Sequence, residues 1–549
     1  MLYVAWLVYF TDQHRAMYPF KYSTALWEGG LHEHRNRVLP IMTRRYIVQF
    51  DSTELPRIDT DFLVIGSGNA GLRAAIEANR HGTVLLITEG AIDTSSVQEN
   101  FTNAIGENGA TASHIEDTLE AGQGLCNETG VRMIVEDGVQ QVSALIQCGR
   151  NLGKETETTL ADQVQKQLQV QVIEHAFAID FMTQEDRCYG VVALIDDVLH
   201  CIFAKATILA SGGVGHIYHG TPNLAVGAAD GLAAAWRAGC EVIDMEFIQF
   251  HPTMLFLMET PQSLITEQVR EEGGILINSR GERFMLKYHG MEELAPCDVV
   301  SRAILTEIEL TGTPCVYLDV THLTSDLIQS RFSKIYQFCY QFGMDITTDV
   351  IPVRSGAYFM IGGVRTNLNA ETNLRGLYAC GEVACAGVHG ASRLASNALL
   401  ECIVFGARAG SAAAEYARTI ESDSYANLRI SSDDDACPSQ RTSQNFEIGA
   451  AMESVQEMMW QRVGLFRHGK DLETISDELE ELSLNCYWDS IEAFEFQNIR
   501  DAAALITEAA SLRTESRGTH YREDFPEQDD VNWRKHIVLQ QGRAARIVD

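Results

Sequence analysis

Residues 61–90, DFLVIGSGNAGLRAAIEANRHGTVLLITEG, decide the fold of this chain. They begin with a short apolar strand (61–65), pass through a glycine-rich turn into a helical pattern, and end with a second apolar strand (83–88) closed by Glu89. A glycine turn between strand and helix, with an acidic residue after the next strand, is typical of dinucleotide-binding α/β units. This context favours dinucleotide binding over a chance glycine turn.

The turn itself, GSGNAG at residues 66–71, has the G-x-G-x-x-G spacing. Gly66 allows the tight turn, Gly68 lets a pyrophosphate approach the backbone, and Gly71 lets helix and strand pack closely. Because neighbouring strand residues point to opposite sides, either Glu89 or the residue before it can face the ribose.

A second stretch, residues 376–406, reads GLYACGEVACAGVHGASRLASNALLECIVFG. We predict a buried strand (377–380), a glycine-rich loop, and a helix that opens at Asn397. A helix N-terminus attracts anionic or electron-rich groups, and Arg393, just before it, could hold a carboxylate by two parallel hydrogen bonds. The stretch could therefore hold both a cofactor and an acid substrate. Taken alone, an ordinary strand–helix connection with a surface arginine explains it equally well.

The composition excludes several classes of protein. The 549 residues include 75 acidic and 42 basic side chains, a net charge of −33, which disfavours nucleic acid and anionic membranes as partners. Thirteen cysteines without a C-x-x-C pair indicate a reducing compartment and no metal site. No run is long enough to span a bilayer, and the apolar residues 1–10 lack the flanks of a signal peptide. We expect a cytoplasmic protein.

The sequence pattern changes between residues 245 and 358. An insert between two segments of a nucleotide-binding sheet is a usual way to build a substrate lid. The candidate anion-binding side chains in this insert are His251, Thr266, Arg270 and Arg302. For each one singly, a structural salt bridge or hydrogen bond is the simpler interpretation.

Six motifs follow one another along the chain: GSGNAGL, SHIEDTLEAGQGLC, FIQFHPT, LITEQVREEGG, LYACGEVACAGVHGASRLASNALLEC and ESRGTHYREDFP. Together, from about residue 58 to the end, they resemble the L-aspartate oxidases, a family of the fumarate reductase/succinate dehydrogenase flavoprotein superfamily. The resemblance implies an α/β fold: a Rossmann-like FAD-binding domain with an inserted α+β capping domain and a C-terminal helical domain. The implied boundaries are an N-terminal extension, mis-started or disordered (1–57), the first segment of the FAD-binding domain (58–244), the capping domain (245–359), the second segment of the FAD-binding domain (360–429), and the helical domain with tail (430–549).

The resemblance also implies the cofactor and the substrate site. Superfamily members that attach FAD covalently use a histidine near residues 95–98, which here read SSVQ, so non-covalent FAD is implied. Arg393, His251 and Thr266 fall on positions that hold a dicarboxylate, and Arg270 is added as a further candidate. The FAD positions are Gly66, Ser67, Gly68, Asn69, Ala70, Gly71, Glu89, Ser95, Ser96, Val97, Asp230, Glu382, Ala398 and Leu399.

The implied reaction is oxidation of L-aspartate to iminoaspartate, by transfer of the Cα hydride to the flavin. Oxygen or fumarate would reoxidise the flavin. This is the first step of quinolinate and NAD biosynthesis, and functional coupling to quinolinate synthase follows from it.

Four features depart from the family pattern. Residues 99–102 (ENFT) replace a run whose glycines pass close to the flavin, and a segment that carries a glutamate is missing before Glu157. Cys297 stands where the family has its proton-transfer arginine, and Tyr358 where a substrate-binding histidine is usual. Cysteine is shorter than arginine, with a reference pKa near ~8.5, so fumarate reduction should suffer more than aspartate oxidation.

Two other functions remain open from the sequence. The first is a fumarate reductase-like dicarboxylate oxidoreductase, against which Cys297 and the lack of a flavin-linking histidine speak. The second is a degenerate paralogue that keeps the fold with little turnover, which the altered 99–102 loop and the missing segment favour.

Overall fold

The strand that leads into the glycine turn lies in the middle of the largest sheet. In the computed structural model this sheet has seven strands in the order β3-β2-β1-β6-β5-β4, with β13 also paired to β6. The pairs β1–β2, β1–β6, β2–β3 and β6–β13 are parallel, whereas β5 pairs antiparallel with both neighbours. The strands are β1 (Arg57–Ile65), β2 (Val84–Ile87), β3 (Val170–Ile173), β4 (Ala176–Gln184), β5 (Arg187–Ile195), β6 (Val198–Leu209) and β13 (Leu377–Ala379).

The insert predicted between residues 245 and 359 builds its own antiparallel sheet. Its order is β8-β11-β10-β9. A separate apolar core, which includes Leu276, Ile304 and Val316, lies between this sheet and its helices. Its strands are β8 (Ile248–Leu255), β9 (Ile275–Ile277), β10 (Val316–Asp319) and β11 (Ile351–Met360).

A third sheet joins the end of the chain to the middle. Its order is β14-β12-β7-β15-β16, and β15 pairs antiparallel with β7. Within the predicted tail, β15 is largely buried, whereas β16, at the edge of the sheet, is mostly exposed. The strands are β7 (Val242–Ile243), β12 (Gly363–Arg365), β14 (Ala384–Cys385), β15 (His536–Leu539) and β16 (Arg546–Val548).

Helices cover both faces of the large sheet. α1, α3 and α10 share one apolar core with it, and α5, α11, α12 and α13 share the other. No helix in the described ranges is long and apolar enough to cross a membrane. The helices are α1 (Asn69–Ala78), α2 (Ala110–Ala121), α3 (Glu128–Leu152), α4 (Thr156–Gln165), α5 (Asp230–Arg237), α6 (Gln268–Glu271), α7 (Cys297–Thr311), α8 (Ser325–Arg331), α9 (Ser333–Gln341), α10 (Asn397–Ala417), α11 (Ile448–Arg462), α12 (Gly469–Ser483), α13 (Ile491–Leu512) and α14 (Asp530–Trp533).

The folded core begins before the predicted boundary at residue 58. Tyr46, Ile47 and Phe50 are buried against β4 and β5, and the amide of Ile47 donates to Asp180 Oδ2 at 2.7 Å. The predicted mis-started or disordered extension is therefore wrong for residues 45–57. The structure describes residues 45–92, 110–152, 156–167, 169–219, 227–257, 263–421, 425, 428–432, 447–483 and 490–549; residues 1–44, Ser95, Ser96, Val97 and 99–102 lie outside these ranges.

Candidate active site

The glycine turn has the shape that a bound pyrophosphate needs. Gly66 has φ +103°, and a Cβ there would lie 2.2 Å from the carbonyl oxygen of Ala210. A Cβ on Gly71 would lie 2.0 Å from the carbonyl oxygen of Gly66, so both positions require glycine. A Cβ on Gly68 would meet nothing within 4 Å, so there is open space beside the start of α1. The cradle fits a phosphate group at a helix N-terminus.

Two predicted cofactor carboxylates, far apart in sequence, lie close together beyond this turn. Asp230, in the first turn of α5, accepts a hydrogen bond from Asn498 Nδ2 at 2.7 Å. Burial, together with the charges of Asp230 and Glu495, raises the pKa of Glu89 above its usual range. Asn498 and Glu495 come from α13 and were missed by the sequence analysis, since nothing in their spacing marks them. Acceptors that are buried (Asp230) or partly buried (Glu89) suit the hydroxyl donors of a ribose.

Thr88, the alternative to Glu89 for the ribose, is bonded elsewhere. Its hydroxyl lies 2.9 Å from the hydroxyl of Ser67, within the glycine turn. Thr88 is thereby a member of the phosphate cradle, which leaves Glu89 as the better candidate for the ribose.

Glu382 joins the cofactor side of the site to the substrate side. Its Oε1 accepts the amide hydrogen of Met360 at 2.9 Å, and a Cβ on Gly213 would lie only 2.0 Å from the same oxygen. Burial raises its pKa to about 7, and the Met360 amide and the Arg393 charge partly offset that shift. Glu382 is partly buried, next to Gly213 and to the Met360 amide of β11.

This burial gives a pH-dependent stability. The folded-state pKa of Glu382 lies above the reference value of 4.5, so its ionisation destabilises the folded protein as the pH rises from 4.5 to 7. We expect the FAD-free Glu382→Gln variant to match the wild type below pH 4.5 and to exceed it by roughly 3 kcal/mol above pH 7. Urea unfolding at several pH values measures this, with the exposed Glu453→Gln as control. A difference that is independent of pH would contradict it.

Arg393 is held in place before α10 by a reciprocal pair of hydrogen bonds. Its Nε donates to Gln249 Oε1 at 3.0 Å, and Gln249 Nε2 donates to its carbonyl oxygen at 2.8 Å. Its guanidinium carbon lies 4.5 Å from the Phe359 ring centroid and 5.4 Å from that of Tyr358. It is only 6% exposed. The surface-arginine interpretation is therefore wrong, and the guanidinium is oriented inside the protein.

His251 lies two residues along β8 from Gln249 and is held neutral. Its Nδ1 accepts the amide hydrogen of Thr253 at 3.2 Å, so the ring proton is placed on Nε2. Burial, and then the charges of Arg270 and Arg393, keep its pKa well below the usual range. Its ring meets Tyr358 edge to face at 5.4 Å. The residue therefore offers a hydrogen-bond donor without adding a charge.

Arg270 is a second buried guanidinium beside the same histidine. Its Nη1 donates to the carbonyl oxygen of Glu293 at 2.5 Å, and its Nη2 lies 3.2 Å from Glu267 Oε1. Its Nε is buried and has no hydrogen-bond partner among the described residues. An orphaned cationic donor in a closed site is what a carboxylate ligand would satisfy.

Cys297, at the start of α7, lies against this arginine. Its Sγ is 3.9 Å from Arg270 Nη2 and 3.5 Å from Glu267 Oε1. Burial and the Glu267 charge raise its pKa to about 12, so the thiol keeps its proton at neutral pH. Thr266 precedes Glu267 in a segment fastened to β8 by the Ile265 amide, which donates to the carbonyl of Thr253 at 2.9 Å.

The structure does not bring Arg302 into this cluster. Its Nη2 lies 2.7 Å from Asp298 Oδ2, and its guanidinium stacks on the Tyr521 ring. The structural salt-bridge interpretation is correct for this residue. Among the described residues, no group of three or more His, Cys, Asp or Glu side chains could hold a metal ion.

Comparison with known proteins identifies the family. Residues 61–157 and 150–399 match the FAD binding domain, and residues 452–548 match the fumarate reductase flavoprotein C-term family. L-aspartate oxidase 2-b of Nicotiana tabacum is 37% identical, over 85% of this chain and 81% of that protein. L-aspartate oxidase of Streptomyces coelicolor is 35% identical, over 88% and 91%. This chain belongs to the L-aspartate oxidase family.

Solved structures with the same fold agree with this membership. A variant of E. coli quinol fumarate reductase FrdA superposes with a TM-score of 0.77 at 27% identity, over 90% of this chain and 97% of that one. Mycobacterium smegmatis Sdh1 in complex with UQ1 superposes with a TM-score of 0.72 at 26% identity, over 90% and 94%. The resemblance to the L-aspartate oxidase family, the α/β fold class and FAD as cofactor are all confirmed predictions.

Proposed function

We propose that this protein is an FAD-dependent L-aspartate oxidase that produces iminoaspartate, with oxygen or fumarate as the electron acceptor. The observation that carries the proposal is the buried cluster of Arg393, Arg270 and neutral His251 beside the N-terminus of α10. Two guanidinium groups in a closed site suit the two carboxylates of aspartate.

The described residues on the pyrophosphate and ribose sides fit FAD. The turn from Gly66 to Gly71 has the open space and the helix N-terminus for the pyrophosphate, and the partly buried Glu89 and the buried Asp230 offer acceptors to the ribose side. Ala398 and Leu399, in the first turn of α10, would offer backbone N–H groups to the flavin ring. When bound, FAD supplies an acceptor for the hydride that leaves the substrate Cα.

The side chains of the cluster bind and orient the substrate. Arg393 is aimed by Gln249 and would hold one carboxylate by two parallel hydrogen bonds. The Nε2–H of His251 and the orphaned Nε of Arg270 would bind the other end, with Thr266 beside them. Burial of these groups lowers the local dielectric constant, which strengthens each interaction. The amine proton that oxidation releases can pass to water.

The product suggests the protein's place in metabolism. Iminoaspartate is the precursor that quinolinate synthase consumes, so we propose that the protein begins NAD biosynthesis and is functionally coupled to that enzyme. A reducing compartment such as the cytoplasm suits the ten cysteines of the described ranges, all free thiols.

Oxygen uptake tests the proposed substrate. We expect consumption with L-aspartate and at least 100-fold lower kcat/KM with L-asparagine, because the amide leaves a buried guanidinium unpaired (about 3 kcal/mol). D-aspartate, with its Cα hydrogen on the other side, is the stereochemical control. A protein that binds FAD but consumes no oxygen with L-aspartate, and does not reduce fumarate, would be a degenerate paralogue.

The cysteine at position 297 predicts that fumarate is reduced less efficiently than oxygen. Reduction of fumarate needs a proton delivered to carbon, and the short thiol, which lies against Glu267, is poorly placed to deliver it. We expect Cys297→Arg to raise fumarate-dependent turnover at least tenfold and to change oxygen-dependent aspartate oxidation by less than about threefold. Cys297→Ser, which keeps the length of the side chain, is the control. No gain in fumarate turnover with arginine would contradict the prediction.

A further inference from the structure

A segment that follows α13 contacts the loop that carries Arg393. We call residues 515–520 the C-terminal clamp and residues 389–393 the arginine loop. In the clamp, the backbone amide of Thr519 donates to the carbonyl oxygen of Ala391 at 3.0 Å, and its hydroxyl donates to the same oxygen at 3.2 Å. Ala391 lies two residues before Arg393, so the position of the Ala391 backbone determines where the Arg393 side chain starts.

Gly518 brings the clamp closer to this loop than another residue could. It has φ +53°, and a Cβ there would lie 2.3 Å from the carbonyl oxygen of Ala391 and 2.7 Å from its carbonyl carbon. Real Cβ atoms do not approach backbone so closely, so a side chain at position 518 must displace the arginine loop. The contact is backbone against backbone, with no flexible side chain to absorb the change.

The clamp is itself held rigidly. The Arg517 side chain is fully buried, with Nε 2.7 Å from Glu515 Oε1 and Nη1 donating to the carbonyl oxygen of Gln123 at 2.7 Å. The amide of Gly518 donates to the side-chain oxygen of Gln123 at 2.8 Å. The amide of Ala391 also donates to the carbonyl oxygen of Gly122 at 3.1 Å. The backbone of the arginine loop is thereby bonded both to the clamp and to the segment at residues 122–123.

We propose that Gly518 and Thr519 are positioning residues for substrate binding: the C-terminal clamp sets the location of Arg393 through Ala391. The inference rests on the proposed function, in which Arg393 binds a carboxylate. The insert also reaches this clamp, because Arg302 Nη1 on α7 lies 3.4 Å from the carbonyl oxygen of Gly518. The last stretch of the chain, polar in composition, thereby serves a site that lies far from it in sequence.

A pair of glycine variants tests the proposal. Gly542 also has a positive φ, +69°, but a Cβ there would meet nothing within 4 Å. Gly518→Ala and Gly542→Ala therefore both strain the backbone, whereas only Gly518→Ala creates a steric clash with Ala391. In the FAD-loaded protein we expect Gly518→Ala to raise the Kd for succinate, read from the flavin absorption spectrum, and the KM for L-aspartate at least tenfold. Gly542→Ala should leave both within twofold, and FAD affinity should hold in both variants.

Thr519 provides a second test if Gly518→Ala does not fold. Thr519→Val removes the hydroxyl at nearly constant size, whereas Thr519→Ser retains it. We expect valine to weaken succinate binding three- to tenfold and serine to restore it. Wild-type succinate affinity in both Gly518→Ala and Thr519→Val, or equal weakening in Gly542→Ala, would overturn the proposal.

The succinate measurement also separates the two proposals. A wild-type protein that binds succinate but does not oxidise L-aspartate overturns the proposed function alone, and the clamp is then judged on succinate affinity. A wild-type protein that binds neither succinate nor L-aspartate overturns both.

Discussion

Arg393→Ala is expected to lower kcat/KM for L-aspartate about a thousandfold while the protein stays folded and retains FAD. Arg393 is 6% exposed, and its guanidinium is already oriented by Gln249. Its removal leaves a buried substrate carboxylate without its partner, which costs roughly 2–5 kcal/mol, and each 1.4 kcal/mol is a factor of ten. Arg393→Lys keeps the charge but loses the two-pronged geometry, so its loss should be intermediate.

Steady-state kinetics and the flavin spectrum together measure this effect. Arg408→Ala, on α10 but outside the cluster, is the matched control and should change kcat/KM by less than threefold. If Arg393→Ala retained more than a tenth of the wild-type kcat/KM, Arg393 would not be the substrate's carboxylate partner. Loss of FAD in the variant would instead assign the residue to the cofactor.

Arg513→Met is expected to lower the free energy of unfolding by about 3–5 kcal/mol. The Arg513, Glu246 and Glu515 side chains are fully buried, with Nε 2.6 Å from Glu246 Oε1 and Nη1 3.0 Å from Glu515 Oε1. Methionine fills much of the volume but leaves the Glu246 carboxylate buried without this partner, and a lone buried charge is strongly unfavourable. The cost arises because the Arg513–Glu246 ion pair joins the segment after α13 to the segment that leads into β8.

Urea unfolding measures this prediction. The control is Arg365→Met, whose partner Glu241 lies at 2.8 Å but whose own side chain is 42% exposed, so the loss should be at most about 1 kcal/mol. Adding Glu246→Gln to Arg513→Met should recover some of the loss, because the uncompensated charge is gone. Equal losses in Arg513→Met and Arg365→Met would show that burial of the pair does not matter.

Local patterns are enough to predict the glycine turn and the start of α10, whereas Asn498 and Glu495 carry no local signal. The glycine spacing at residues 66–71 and the helical pattern that begins at Asn397 can be read from neighbouring residues, although the turn also packs against the carbonyl oxygen of Ala210. The strand predicted at 61–65 is present but begins four residues earlier, at Arg57, where it pairs along β6. The continuous apolar run marks only the buried portion of this strand.

The substrate half cannot be derived from pattern alone. Gln249 and Arg393 are 144 residues apart, and only the fold shows that they are bonded to each other. The polar composition of the tail predicts solvent exposure because charged residues are usually exposed, yet Arg513 pairs with Glu246 across 267 residues inside the protein. No local signal distinguishes a buried, paired arginine from an exposed one, so the C-terminal clamp becomes visible only in the fold.

The visible spectrum of the purified protein, before and after anaerobic addition of L-aspartate, tests the central claim most directly. We expect a yellow protein whose flavin absorption is bleached by L-aspartate and returns when oxygen or fumarate is admitted. A colourless protein would contradict FAD binding by the cradle at residues 66–71 and 398–399. A yellow protein that L-aspartate leaves unchanged would contradict the assignment of Arg393, Arg270 and His251 to this substrate.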